Sequence, residues 1–187
     1  MSPSTQHISF WGWVLRVGAI GATTIIVLLI ALALNQRFAL RRFREHTPPP
    51  GRLVNVEGHQ MHIRCTGSAG PTVVIDAGNA CFGLEWTSIQ DRLAETTRVC
   101  TYDRAGYGWS EAGPSPRDGA AAVAELHTLL QAAGEAGPYI LVGHSLGGVH
   151  ARLYAAHYPD EVAGLVLIDT AVGYTVSPEL EGQMRAS

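Results

Sequence analysis

Tyr139-Ile140-Leu141-Val142-Gly143-His144-Ser145-Leu146-Gly147-Gly148 is the stretch that decides how this chain folds. Its apolar start, Tyr139 to Val142, has the composition of a buried strand, and Val149, Leu153 and Ala156 follow at helical spacing. Between the two lies G-x-S-x-G, made by Gly143, Ser145 and Gly147. A strand that turns directly into a helix sets the central residue on a sharp, strained bend. Gly143 and Gly147 are expected where strand and helix pass too close for side chains. Ser145 Oγ then stands above the sheet, and the Leu146 N–H, at the helix start, is aimed at a developing oxyanion.

Outward from this bend the pattern alternates. Val162 to Ile168 reads as another buried strand, ending in Asp169. Upstream, Thr72-Val73-Val74-Ile75-Asp76 reads as a central parallel strand, followed by the small-residue loop Ala77 to Gly83. An acyl-transfer site needs a second oxyanion donor from such a loop, and the N–H of Asn79 is the favoured candidate, with that of Ala80 beside it. Trp86, Ile89 and Leu93 mark a crossover helix, and Arg98 to Tyr102 the next strand. The loop Asp103 to Ser110 reads as structural, with Asp103 and Arg104 tying it to the strand ends. Ser115-Pro116-Arg117-Asp118 resembles a helix entry with Ser115 as N-cap, and His127 is expected to face solvent on that helix. Arg52 to Cys65, turning at Glu57-Gly58, reads as a β-hairpin. His59 and His62 fall on opposite strand faces, which argues against a metal site and reads them as surface or turn residues. The expected architecture is a three-layer α/β/α sandwich, with a mostly parallel sheet and an N-terminal antiparallel hairpin. The Asn79 loop, Ser145 and Asp169 all fall at the carboxyl ends of strands, where catalytic groups gather in such sheets.

Four segments together resemble the α/β-hydrolase superfamily: Asp76-Ala77-Gly78-Asn79, Tyr102 to Ser110, Gly143-His144-Ser145-Leu146-Gly147-Gly148, and Val162 to Asp169. The resemblance covers about Arg52 to Ala171. It implies that Ser145 is a nucleophile, that Leu146 and the Asn79 loop form the oxyanion hole, and that the substrate is a carboxylic ester rather than an amide or peptide. A serine needs a base and the base an orienting acid. In this superfamily the chain order is Ser, acid, His. After Ser145 the sequence holds only His150 and His157, both on the helix that follows the bend. Asp169 is a candidate acid, although most relatives carry that acid one strand later. The expectation is a serine hydrolase without its histidine and truncated after the sixth strand. Alternatives are a non-catalytic tethered binding module, or an acyltransferase or cofactor-free haloperoxidase on the same fold.

The N-terminal region reads differently. Val17 to Leu34 carries no charge, and Thr23 and Thr24 are its polar members, a length that spans a bilayer core. Trp11 and Trp13 precede it as interfacial residues would. The expected organisation is a tail (1–13), a transmembrane anchor (14–36), an Arg/Pro-rich linker (37–51), the partial hydrolase domain (52–173) and a C-terminal segment (174–187) that could begin a lid. Arg16 lies before the span, whereas Arg37, Arg41, Arg42 and Arg44 lie after it, which predicts a single-pass protein with its domain in the cytoplasm. Net charge is −3, which gives no nucleic-acid signal. All 13 basic residues are Arg. The three cysteines, Cys65, Cys81 and Cys100, lack metal-ligand spacing, and their odd number argues against a disulfide framework, although one bridge is compatible with an oxidising compartment. Cys81 reads as a small packing residue. No cofactor or metal is implied. The partners expected are a small ester and a lipid bilayer.

Overall fold

The computed structural model describes residues 10–170. It divides between Pro48 and Pro49 into two compact units. The first holds α1 (Phe10–His46). Within its stretch Trp11–Ala39, the most apolar 18-residue window has a mean hydropathy of 2.6, and none of that window is buried in protein. The hydroxyls of Thr23 and Thr24 donate to the carbonyls of Ala19 and Ile20, both at 2.9 Å, so the two polar groups of the apolar run are satisfied within the helix. The helix continues past Gln36, the expected end of the membrane span, into the Arg-rich part of the linker. Arg37 to Glu45 contains neither Gly nor Pro, and such a run has no reason to leave the helix. The break comes instead at Pro48-Pro49-Pro50.

The second unit begins with a hairpin, β1 (Arg52–Val56) and β2 (His59–Thr66), paired antiparallel. Glu57 at φ 48° and Gly58 at φ 97° make the two-residue turn anticipated from Glu57-Gly58. There follow β3 (Val73–Asp76), α2 (Thr87–Leu93), β4 (Val99–Tyr102), α3 (Gly119–Ala132), β5 (Tyr139–His144), α4 (Leu146–His157) and β6 (Val162–Ile168). The six strands form one sheet in the order β1-β2-β4-β3-β5-β6. β2 meets β4 antiparallel, and the β4-β3-β5-β6 portion is parallel. This is the α/β architecture expected from the strand–helix alternation.

Alternation along the strands feeds two apolar layers. Val74, Cys100, Tyr139 and Leu141 pack with Val123, Leu126, Leu129 and Leu130 of α3 and with Ala151 and Tyr154 of α4. Val73, Ile75 and Val99 face the other way, against Trp86, Ile140 and Val142. β3 is buried throughout because β4 and β5 flank it. β6 departs from the expectation of a buried strand. It forms the edge of the sheet, and Leu165, Val166, Leu167 and Ile168 are 39–46% exposed. Its composition is that of a strand covered on both faces, a covering the described residues do not supply.

α3 begins later than anticipated. Its N-cap is Asp118, whose Oδ1 accepts the Ala121 N–H at 2.9 Å, and Ser115 lies outside the helix. His127 is not solvent-facing. Its ring stacks on Tyr158 at 4.0 Å and 3° and its Nδ1 lies 3.1 Å from Glu161 Oε2, clasping α3 to the end of α4.

Candidate active site

Ser145 sits between β5 and α4 at φ 51° and ψ −116°. A non-glycine residue with positive φ costs about 1–3 kcal/mol and persists only where its surroundings enforce it. Here the Ser145 N–H donates to Ile168 O at 3.0 Å, and Ser145 O accepts the Gly148 N–H at 3.1 Å. The flanking glycines are required by contact. A Cβ on Gly143 would lie 2.4 Å from Gly148 Cα, and one on Gly147 would lie 2.1 Å from Asp76 O. Leu146 opens α4, so its N–H is one of the first-turn amides without an intrahelical acceptor.

The loop after β3 closes on this bend. A Cβ on Gly78 would lie 3.0 Å from His144 Nδ1 and 3.5 Å from Ser145 Cβ. Gly78 O accepts the Cys81 N–H at 3.3 Å across a tight turn in which Ala80 has φ 59°. Asn79 at its tip is exposed, and its Oδ1 accepts the Tyr107 hydroxyl at 3.2 Å. Below the turn lies a buried charged cluster. Arg104 donates to Asp76 Oδ1, Ala77 O and Gly78 O, and the other oxygen of Asp76 accepts from His150 Nδ1 at 3.0 Å. Arg104 and Asp76 are almost fully enclosed. Burial alone would lower the Arg104 pKa, but the adjacent Asp76 carboxylate holds it above the ordinary value. Burial, followed by the Asp76 charge, likewise raises the Tyr102 phenol well above its usual value.

The sequence profile of the alpha/beta hydrolase fold matches residues 71–185, more than half of the chain. This chain belongs to the alpha/beta hydrolase fold family. An uncharacterized protein of Schizosaccharomyces pombe is 31% identical over 90% of this chain and 36% of its own length. The (lyso)-N-acylphosphatidylethanolamine lipase of Bos taurus is 34% identical over 62% of this chain and 34% of its own length. Among solved structures, an esterase from Exiguobacterium antarcticum superposes with a TM-score of 0.59 at 26% identity, covering 65% of this chain and 46% of that one. The chain thus spans about a third to a half of the length of these relatives.

Among the described residues, three histidines lie beside or after Ser145 in the sequence. His150 is 6% exposed and bonded to Asp76. His144 lies beside Trp86, with ring centroids 6.0 Å apart. His157 is exposed at the end of α4, near Tyr158. Asp169 ends β6 at φ 45°, between Ile168, whose carbonyl holds the Ser145 amide, and Thr170, whose side chain fills the space above Gly148. The backbone therefore brings Asp169 next to the bend. Cys81 has its thiol pushed up by a hydrogen bond to Glu85, and then by burial, which disfavours the thiolate.

His59 and His62 are not surface residues. His62 is 1% exposed: its Nε2 accepts the Gly51 N–H at 3.1 Å, so the proton is on Nδ1, 3.0 Å from Asp103 Oδ2. His59 is 7% exposed, with Nε2 3.5 Å from Glu125 Oε1. β2 meets α3 through His59 and the Asp103 loop through His62, so both faces of this strand are covered, and two faces is what H-x-x-H supplies. Asp103 also accepts the N–H groups of Gly83 (2.9 Å) and Trp109 (3.0 Å), and its own carbonyl accepts the Ser110 hydroxyl (2.6 Å). Cys65 and Cys100, opposite each other on β2 and β4 with Cα atoms 4.1 Å apart, form a disulfide. Glu135 lies close enough to complete a three-ligand metal group, but both sulfurs are bonded to each other. The odd cysteine count concealed this pair, which the strand register brings together.

Proposed function

We propose that the protein is a membrane-anchored serine hydrolase that cleaves carboxylic esters through an acyl-Ser145 intermediate. The observation that carries the reading is the strained Ser145 backbone, enforced by glycine contacts on both sides and faced by the Gly78 loop. Ser145 Oγ attacks the ester carbonyl carbon, and the carbonyl electron pair moves onto oxygen. The N–H groups of Leu146 and Asn79 receive that oxyanion. Its collapse expels the alcohol and leaves the acyl group on Ser145, and water then releases the acid. The proton of Oγ needs a base. His150 is bonded to Asp76, so we place the base outside the described residues and give Asp169 the role of its orienting acid. Esterase and lipase relatives support an ester over an amide.

Incubating the protein with a short-chain p-nitrophenyl ester and quenching early tests this reading. The expected result is an acyl mass increment on the peptide containing Ser145. An increment elsewhere, or none during measurable turnover, contradicts it. One observation favours a second reading, a tethered binding module: His150, on the helix after Ser145, is bonded to Asp76, and the ring of His144 lies beside Trp86. Turnover indistinguishable from buffer would support that reading.

We place α1 across a bilayer. Its 29-residue stretch Trp11–Ala39 is about 44 Å long at 1.5 Å per residue, and the uncharged run Val17–Leu34 inside it about 27 Å, close to a hydrocarbon core of about 30 Å. The Arg distribution supports a domain on the cytoplasmic side. The Cys65–Cys100 bridge favours the oxidising side instead. A C-terminal reporter active only outside the cytoplasm would overturn the first assignment.

A further inference from the structure

The cluster beneath the Gly78 loop does more than neutralise a buried charge. A structural ion pair would need only the Asp76 carboxylate. Arg104 also takes the carbonyls of two consecutive peptides, each at 2.5 Å, with Nη1 on Ala77 O and Nη2 on Gly78 O. A trans peptide is planar, and its C=O and N–H point in opposite directions. Holding Gly78 O toward the guanidinium therefore turns the Asn79 N–H away from it. Gly78 itself lies against Ser145. The direction of that amide is the property an oxyanion donor must have before substrate arrives.

The same cluster ties the loop to the helix that carries the other donor. Asp76 Oδ2 binds His150 Nδ1, one turn after Leu146 on α4. The absence of a side chain on Gly147 lets that helix approach Asp76 O. The chain Gly78 carbonyl, Arg104, Asp76, His150, α4 thus links the two proposed donors through buried side chains. Only a guanidinium presents a rigid fork able to reach a carboxylate and two carbonyls together.

We propose that Arg104 is a positioning residue that sets the direction of the Asn79 amide, and that Asp76 and His150 hold this amide in register with that of Leu146. The proposal rests on the ester-hydrolase reading. Arg104 touches no substrate, so its effect belongs to the transition state rather than to binding.

The test uses the full protein with Arg104→Lys and, in case that variant does not fold, the near-isosteric Asp76→Asn. Three readouts are taken: p-nitrophenyl ester kinetics, inhibition by an alkyl boronic acid that forms a tetrahedral adduct with serine, and 15N relaxation of the Asn79 amide. The expected outcome is kcat lower by about 10- to 100-fold with KM within about twofold. The boronate inhibition constant should rise by the same factor as kcat/KM falls. The Asn79 order parameter should drop from the rigid range of about 0.85 toward 0.6. Wild-type kcat and boronate affinity in a folded variant overturn the proposal, as does a rise in KM alone. If the wild-type protein forms no boronate adduct at Ser145, the hydrolase reading fails. The relaxation measurement still decides whether Arg104 orders the Asn79 amide, and an unchanged order parameter sinks the proposal on its own.

Discussion

Two buried aspartates end neighbouring strands, Asp76 on β3 and Asp103 just past β4, and they are satisfied in different ways. Asp76 faces a buried cation, Arg104, and a histidine on the helix of Ser145. Asp103 has no cation of that kind. It is met by two backbone N–H groups and by His62, itself fixed by the Gly51 N–H. Backbone donors close a loop and leave it closed. An ion pair that reaches carbonyls of the loop beside Ser145 also fixes the direction of those peptides. On our proposal, the comparison separates a carboxylate that finishes a turn from one that prepares a reaction site, at equivalent ends of adjacent strands.

Removing Asp76 should give the largest effect on stability. Asp76→Ala leaves Arg104 buried without its partner, which costs about 3–5 kcal/mol. Urea denaturation reads this directly, and a loss below about 1 kcal/mol would mean that the pair is not enclosed. Asp103→Ala leaves the Gly83 and Trp109 amides without their acceptor, about 1–3 kcal/mol each before water enters. We expect about 2–3 kcal/mol in the same assay. The sharper contrast comes from the conservative pair. Asp76→Asn should slow Ser145 labelling by at least about tenfold, whereas folded Asp103→Asn should label within about threefold of wild type. Equal slowing would dissolve the distinction.

Alkaline pH offers a smaller handle on the Asp76 side. The Tyr102 phenol is raised by burial and then by the Asp76 charge. A raised folded-state pKa contributes stability that is complete below the unfolded value of about 10 and is lost as pH rises through the folded value. Wild type should therefore lose stability above about pH 10. Tyr139, Tyr154 and Tyr158 are raised too, chiefly by burial, so Tyr102→Phe should remove only part of that loss and Asp76→Asn a smaller part. A pH profile identical in all three would show that Tyr102 does not sense Asp76. The smallest effect belongs to Tyr107→Phe. It removes an exposed hydroxyl bond to Asn79 Oδ1 and should change stability by less than about 1 kcal/mol.

Much of this arrangement was legible in the residues. The strand–bend–helix around Ser145 followed from apolar composition, two glycines and helical spacing, and the β-hairpin from alternation around Glu57-Gly58. Placement of Asp76 and Arg104 at successive strand ends could be read, but not their union with His150, because that contact joins residues 74 positions apart across a helix crossing. The burial of His59 and His62 was hidden for a related reason. Their exposure is set by what α3 and the Asp103 loop lay over the hairpin, and local sequence does not contain those neighbours. The Cys65–Cys100 bridge depended on the register of β2 against β4. The exposed apolar edge of β6 ran the other way: its sequence implies a cover that the described residues do not provide.

The function proposed for this site turns on Ser145 as a nucleophile. Labelling the protein with a fluorophosphonate, and mapping the adduct by mass spectrometry beside Ser145→Ala, tests that most directly. The account predicts one phosphonyl group per chain, on Ser145, and none in the variant. An unlabelled wild type, or equal labelling of the two proteins, would contradict it.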